Sequence, residues 1–587
     1  MSRRLLCLCS QRPSVPASQC PSVIQQQQRP SVPASQPSAS FSSLSVPACR
    51  SDHVDRRVPG DGDVAIRECG MWTRLSDTSL LLVHYDALRR RGKGRLTVSF
   101  IGISAFTIWR GDVPETVKYL LILFLGAVLI AVPLYRLSPL HRLHGGPGPK
   151  LNKITELTML YYAVLGLRHN KLRALHDRYG RVVRIGPNTL SFISPTAISS
   201  IYGSANAPDK STAYDMQHLK GDGLFFLKDK ASHSRRRRIW NRSFSEEALL
   251  GYQDPLVREI EHLFDLLLKK TSNNGKVDLV KILPQYSYDS MSLLDSDDPA
   301  NIAAEGTKFF RLSELFTHIQ PLFHCLMLIP GISRFMSFEK LSILAAERRL
   351  KNGATFRDGI SYWFDGDEFQ PKLHPRDLPI EAETILLGGA DTLGSTTTMM
   401  FYFLITNPKW ITVLREELRD VFDEQGRSQQ LNSLDQIPIL EAFVQETLRL
   451  GTLLPGLPRV VPNGGMIIDG HHIPSGTVVN VPVWAYHVDP DYFPNPRAFD
   501  PNRWIENENF SIKVHSMAFG VGMYNCVGSK LALTQLRILL AMAVHRLEFT
   551  PEPGFDSEKF WNGMRNTRTA DFMEPLWVRV THRNPSD

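Results

Sequence analysis

Seventeen consecutive residues, Tyr119 to Tyr135, carry no charge, and they limit what the whole chain can become. A helix of that length is just long enough to cross the hydrocarbon core of a bilayer. The segment shows no polar face and lies ahead of the long stretch of mixed polar and apolar pattern. It therefore reads as a membrane-crossing helix over about 118–135 rather than a core helix. Asp112 and Glu115 precede it with only Lys118 beside them, whereas Arg136, Arg142, Lys150 and Lys153 follow. The bias of cations toward the cytoplasmic side places everything downstream in the cytoplasm. The shorter apolar run Leu96 to Trp109 leaves a second crossing open.

Residues 1–70 are rich in Ser, Pro and Gln, and the phrase QRPSVPASQ occurs twice, at 11–19 and 28–36. Such a composition cannot bury enough apolar surface to offset its ordering entropy, so this extension reads as disordered. Its early apolar patch, Leu5 to Leu8, is too short for a secretory signal, and Met71 offers an alternative start. Of seven cysteines only Cys325 and Cys526 lie beyond residue 70, which leaves the body without a disulfide framework and points to a reducing compartment. The net charge of +8 suits an anionic membrane surface or an acidic protein partner. Nucleic acid is disfavoured, because no aromatic-interleaved basic stretch or zinc-finger spacing occurs. Three regions result: the extension 1–70, an anchor region 71–145, and a body 146–587 that opens with the helix-incompatible connector Gly145 to Pro149. The body is mainly α with short β-like pieces at Val182 to Ile185 and Thr477 to Val481.

The chemistry of the body centres on Phe519 to Gly528, FGVGMYNCVG, followed by an amphipathic run from Val527 to about His545. A cysteine at the entry to a helix meets unpaired N–H groups and the positive dipole end, both of which favour thiolate. Glycines at 520, 522 and 528 let the backbone bend and approach a flat ligand. A buried free cysteine in a glycine turn is the plain alternative, but F-x-x-G-x-x-x-C-x-G arises by chance in about one such chain in several hundred. The segment resembles the haem-binding loop of the cytochrome P450 family, F-x-x-G-x-R-x-C-x-G. That resemblance implies Cys526 as the iron ligand, with Phe519 and Gly528 in the cofactor-binding loop. A thiolate on haem iron donates electron density that promotes O–O cleavage. The family's arginine, which pairs with a haem propionate, is replaced by Tyr524, whose phenol donates one hydrogen bond but no charge.

Further segments follow in the family order. Glu383 to Thr406 reads as a long apolar helix interrupted by Gly388-Gly389-Ala390-Asp391-Thr392. Two adjacent glycines cost a helix about 1 kcal/mol each, and they either serve a tight helix crossing or leave room for a small ligand. The run is similar to the family's oxygen-activation segment, which implies proton relay by Asp391 and Thr392. Glu446-Thr447-Leu448-Arg449, within a helical run from Ile439 to Leu450, and the loop Pro496 to Trp504 (PRAFDPNRW) resemble the family's E-x-x-R helix and P-x-R-(F/W) loop. They imply a buried structural triad of Glu446, Arg449 and Arg503. His233 and Arg237 match a W-x-x-x-R pair eleven residues ahead of a phenylalanine, here Phe244, with histidine in place of tryptophan. With Arg459 they are implied as propionate partners. Arg235, Arg236 and Arg238 read as a solvated helix face, and His471-His472 as surface histidines in a polar turn.

The resemblance spans roughly residues 146–580. It implies a triangular, mainly helical body with a small β region, haem b, O2, and electrons from NADPH through a separate flavoprotein, an NADPH-cytochrome reductase docking on the basic proximal face. A separate reductase is expected because the chain ends about sixty residues after Cys526. The phrase Leu454 to Thr477 is similar to fungal secondary-metabolism members. The implied reaction inserts one oxygen atom into a C–H bond, or across a double bond, of an apolar small molecule. Pocket walls are expected around Tyr214 to Ala231, Phe309 to Pro330, the helix before Gly389, and Leu453 to Pro458. A haem-thiolate isomerase or dehydratase, and a haem-poor member acting as a binding protein, stay open as alternatives. The acidic Ser296-Asp297-Asp298 patch is atypical of the family.

Overall fold

The computed structural model describes residues 115–204, 207–215, 223–291, 337–353, 357–365, 371–422, 431–505, 516–567 and 569–583. The extension 1–70, Leu96 to Trp109, Cys325, the region Phe309 to Pro330 and the Ser296 patch lie outside them. The chain divides between Ser79 and Leu80, and all described residues belong to the second unit.

The apolar run forms α1, Glu115–Leu137, with Glu115 in its first turn and Arg136 in its last, both matched to the helix dipole. The helix is long and apolar enough to cross a membrane, and none of its residues is buried against protein. The connector after it is more than a spacer. Arg184 N–H donates to Pro147 O at 2.6 Å, and a Cβ on Gly148 (φ +150°) would lie 2.4 Å from Arg184 O. The buried Arg184 guanidinium in turn donates to Leu143 O at 3.0 Å and to Arg136 O at 3.3 Å.

The helices that build the interior are α2 (Lys230–Arg242), α3 (Glu246–Asn274), α4 (Leu279–Met291), α5 (Leu378–Ile385), α6 (Asp391–Thr406), α7 (Pro438–Gly451) and α8 (Ser529–Arg546). The strands are β1 (Val182–Gly186), β2 (Thr189–Phe192), β3 (Asp209–Lys210), β4 (Val277–Asp278), β5 (Arg459–Val460), β6 (Met466–Ile468), β7 (His471–Ile473), β8 (Val478–Asn480), β9 (Leu547–Pro551), β10 (Met564–Thr567), β11 (Thr569–Phe572) and β12 (Trp577–His582). They form a five-stranded sheet in the order β1-β2-β8-β5-β3, a three-stranded sheet β4-β12-β9, and the hairpins β6-β7 and β10-β11. This is a mainly α body with a small β region. The two sequence-read strands fall within β1 and around β8, while His471 and His472 occupy β7 instead of a turn, both exposed. The reason is local: Asp469 at φ +49° and Gly470 at φ +75° make the reversal, which frees the histidines to pair across the hairpin.

The core lies around α6. From Met399 to Ile405 every residue is buried, so this helix has no solvent face over two turns. It is flanked by α4 and α7, and Phe401 meets Phe549 of β9 with ring centroids 5.1 Å apart. α7 is likewise buried at every position from Ile439 to Gly451 except Glu441, which carries Glu446 and Arg449 out of water. Replacing Phe401 with alanine removes a fully buried ring and should cost about 3–5 kcal/mol, read as a lowered denaturant midpoint.

Candidate active site

The segment around Cys526 is shaped by two left-handed glycines. Gly520 sits at φ +68° and Gly522 at φ +74°, and a Cβ on Gly522 would lie 1.9 Å from Tyr202 O. No side chain fits there. Gly528 serves otherwise: it is the residue ahead of α8, at φ −89°, and a Cβ on it would stand 3.5 Å from the Phe244 ring. Cys526 N–H donates to Phe519 O at 2.7 Å, and the Gly528 N–H is directed to the thiol sulfur. Cys526 is accessible from one side, yet the protein packed on its others makes burial the largest influence. The thiol is pushed above its ordinary pKa, with Gly528 N–H and Arg237 acting against that. This corrects the expectation that the helix entry would by itself favour thiolate. Cys526 lies three residues ahead of Ser529, outside the first turn where the dipole acts. Coordination to a metal ion would deprotonate it outright.

Beside this loop the structure gathers cations. The Asp229 carboxylate caps α2 by accepting from Ser232 N–H at 2.8 Å, and the helix then presents His233 and Arg237 one turn apart. Arg237 donates to Asn525 O at 2.5 Å and Asn525 Oδ1 at 2.9 Å, next to the cysteine. His233 is buried, its ring 4.6 Å from that of Tyr524, and burial with the nearby Lys210, Arg237 and Arg459 lowers its pKa to about 3, so it is neutral. Arg459 is buried in β5, donates to Tyr214 Oη at 3.1 Å, and lies 4.9 Å from the Tyr524 ring. Burial pushes the Tyr524 phenol up to about 12, so it remains a donor.

Arg236 departs from the sequence reading. It turns inward to Glu381 of α5 and to Asp377 at 3.1 Å, while Arg235 and Arg238 are exposed. Trp240 Nε1 and Leu224 N–H also donate to Glu381, at 3.0 and 3.2 Å. The α-helical period puts Arg236 and Trp240 on the face opposite solvent, and a carboxylate there meets the charge.

The double glycine falls in a π-helical turn, Leu386–Ala390, between α5 and α6. Its two residues divide the roles that the sequence leaves as alternatives. A Cβ on Gly389 would lie 2.7 Å from Met291 Sδ of α4, a close helix approach, whereas one on Gly388 would meet nothing within 4 Å. Gly388 and Thr392, one turn apart, are exposed among mostly buried neighbours. Thr392 Oγ1 donates to Gly388 O at 2.8 Å. Asp391 accepts from Thr569 of β11, and its carboxyl is pushed up to about 6 by burial, with Asp571 adding and Thr569 opposing.

Glu446 is fully buried and saturated. Arg449 donates to both its oxygens at 2.8 and 2.7 Å, Arg503 Nε to Oε1 at 3.0 Å, Trp504 Nε1 to Oε2 at 3.0 Å, and Asp500 N–H to Oε1 at 3.0 Å. Arg449 also holds the carbonyls of His487 and Pro496 at 2.7 and 2.6 Å. His487 Nδ1 is 3.0 Å from Arg449 O and its Nε2 is 3.0 Å from Met517 N–H, an Nδ1–H tautomer that links the charge cluster to the cysteine loop. His487 and Thr569 were not singled out in sequence, and Tyr214 was named only as the start of an expected pocket wall. Trp504 had a signal, its place beside Arg503 in the loop.

Residues 147–570 match the family profile described as Cytochrome P450. The chain belongs to the cytochrome P450 family. Trichothecene C-15 hydroxylase of Fusarium sporotrichioides is 28% identical over 73% of this chain and 91% of its own length. Cytochrome P450 monooxygenase astD of Aspergillus oryzae is 29% identical over 75% and 89%. Cytochrome P450 monooxygenase notG' of Aspergillus versicolor is 30% identical over 72% and 79%. With the family come an oxidoreductase class and a haem cofactor. This P450 has buried polar atoms that fit such a group: among the described residues His233 Nδ1, Arg459 Nε and Tyr524 Oη lie close together without a hydrogen-bond partner. They are donors suited to carboxylates.

Three substitutions test this scaffold. Gly522→Ala should abolish haem retention, whereas Gly554→Ala, at φ +83° with open space around it, should cost only about 1–2 kcal/mol by thermal denaturation. Glu446→Ala strands Arg449 and Arg503 and should cost about 3–5 kcal/mol, seen as loss of folded protein.

Proposed function

We propose that this P450 is a haem-thiolate monooxygenase that places one atom of O2 into an apolar small molecule, by hydroxylation or epoxidation, in fungal secondary metabolism. The overall change is R–H + O2 + NADPH + H⁺ → R–OH + H2O + NADP⁺, with a separate NADPH-cytochrome reductase supplying the electron pair. The observation that carries this is Cys526, accessible on one side, in a loop that only glycine can close, with His233, Arg237 and Arg459 gathered beside it. Its relatives named as monooxygenases support the reaction class.

The haem, when bound, supplies the site at which O2 is reduced and split. The chain's own residues hold and protonate. Cys526 would hold the iron through Sγ, and the Gly528 N–H hydrogen bond would temper the charge on that sulfur. The Arg237 and Arg459 guanidiniums, the His233 imidazole and the Tyr524 phenol receive the propionates, and the Phe519 and Gly528 segment keeps the loop at its distance. Thr392 lines the open notch at Gly388, and Asp391 behind it exchanges protons near pH 6. Because its pKa is raised, the carboxyl is mostly protonated below about pH 6 and becomes a poorer donor above it. Glu446, Arg449 and Arg503 touch no reacting atom and hold the frame. The anchor α1 places the body on a membrane, with the cytoplasm and the endoplasmic reticulum as the proposed setting.

Three measurements check this. The reduced, carbon-monoxide-bound full-length protein should show the red-shifted Soret band of a thiolate-ligated haem, and Cys526→Ser should lose it; an unchanged spectrum would end the proposal. Product formation should require both NADPH with reductase and O2, with label from heavy-isotope oxygen in the product. Asp391→Asn and Thr392→Val should lower product per NADPH by about 10–100-fold while releasing peroxide, and Asp391→Asn should remove the pH dependence near 6.

A further inference from the structure

Where the family pattern has an arginine two residues before the cysteine, this chain has Tyr524. A cation nevertheless stands over that position. Lys210 is buried in β3, directly across from Arg459 of β5, and its Nζ lies 4.7 Å from the centroid of the Tyr524 ring. Two of its donors reach backbone carbonyls, Phe225 O at 2.7 Å and Leu224 O at 3.4 Å, which leaves one N–H for another acceptor. Among the described residues no carboxylate lies within ion-pairing distance of it; Asp209 and Asp215 pair with Lys230 and Lys228 instead. Burial together with Arg459 and Arg237 lowers its pKa to about 7, the mark of a cation held among cations. A buried ammonium in such company is costly unless it meets negative charge.

We infer that Lys210 replaces the missing loop arginine: its ammonium reaches the Tyr524 position from β3 and pairs with a haem propionate, while the Tyr524 phenol adds a hydrogen bond. The charge that the family carries on the loop is thus carried here on the sheet. This assignment rests on the haem reading given above. Lys210 binds and positions the cofactor and takes no part in the reaction.

The test is the rate at which haem passes from the full-length protein to an excess of apomyoglobin, followed optically without turnover. Lys210→Gln should release haem at least about tenfold faster than the unmodified protein, and Lys210→Arg should stay near it. Adding Tyr524→Arg to Lys210→Gln should restore slow release, because the cation returns by the other route. Tyr524→Arg alone should gain far less than it does in the Lys210→Gln background. Equal release from Lys210→Gln and the unmodified protein overturns the assignment. So does a double variant, folded or not, that recovers no haem. An unmodified protein that never holds haem overturns the cofactor reading itself, a result distinct from either.

Discussion

Glu446 is a carboxylate shut away from water, and the segments that frame the cysteine loop are arranged around satisfying it. Five donors from two segments, α7 and the Pro496–Trp504 loop, converge on its two oxygens, so the charge is met and its lone pairs are filled. Buried ions rarely add net stability, but removing one partner is expensive, which gives the cluster a single permitted geometry. That geometry propagates. Arg449 grips the backbone at His487 and Pro496, and His487 passes the constraint through its two ring nitrogens to Met517, at the head of the cysteine loop. Burial and Arg449 lower the His487 pKa to about 3, so the imidazole keeps one donor and one acceptor, as this bridge needs.

On the other side of the loop the electrostatics run in the opposite sense. Arg237, Arg459 and Lys210 bring positive charge close to Cys526 and Tyr524, and the neutral His233 adds a donor without adding charge. In one region the buried charges are thus paired with one another, while the adjacent one favours an anion. Together they suit the proposed hold on a flat, dianionic cofactor, by its edge and its metal at once.

Much of this was legible in the sequence because the informative features are local. The seventeen-residue apolar run became a helix, the E-x-x-R spacing put Glu446 and Arg449 on one face, and the glycine spacing of the cysteine loop matched its left-handed turns. What was not legible depends on distant partners. Thr569 reaches Asp391 across 178 positions, and nothing near either residue announces it. Arg236 looked like a solvated charge until α5 placed Glu381 against it. The two adjacent glycines were indistinguishable as letters; only the neighbouring helix separates Gly389, pressed against Met291, from Gly388, which faces open space. The helix-entry view of Cys526 failed for a similar reason, since desolvation by the surrounding fold outweighs a dipole that begins three residues later.

The stitched connector between α1 and the body has a mechanical meaning. Arg184 holds Leu143 and Arg136 from one strand, and Gly148 is pressed on the same residue, so the connector is bonded to the sheet at several points. In the membrane setting proposed above, an inclination that lipid thickness imposes on such a helix would reach the sheet through these contacts.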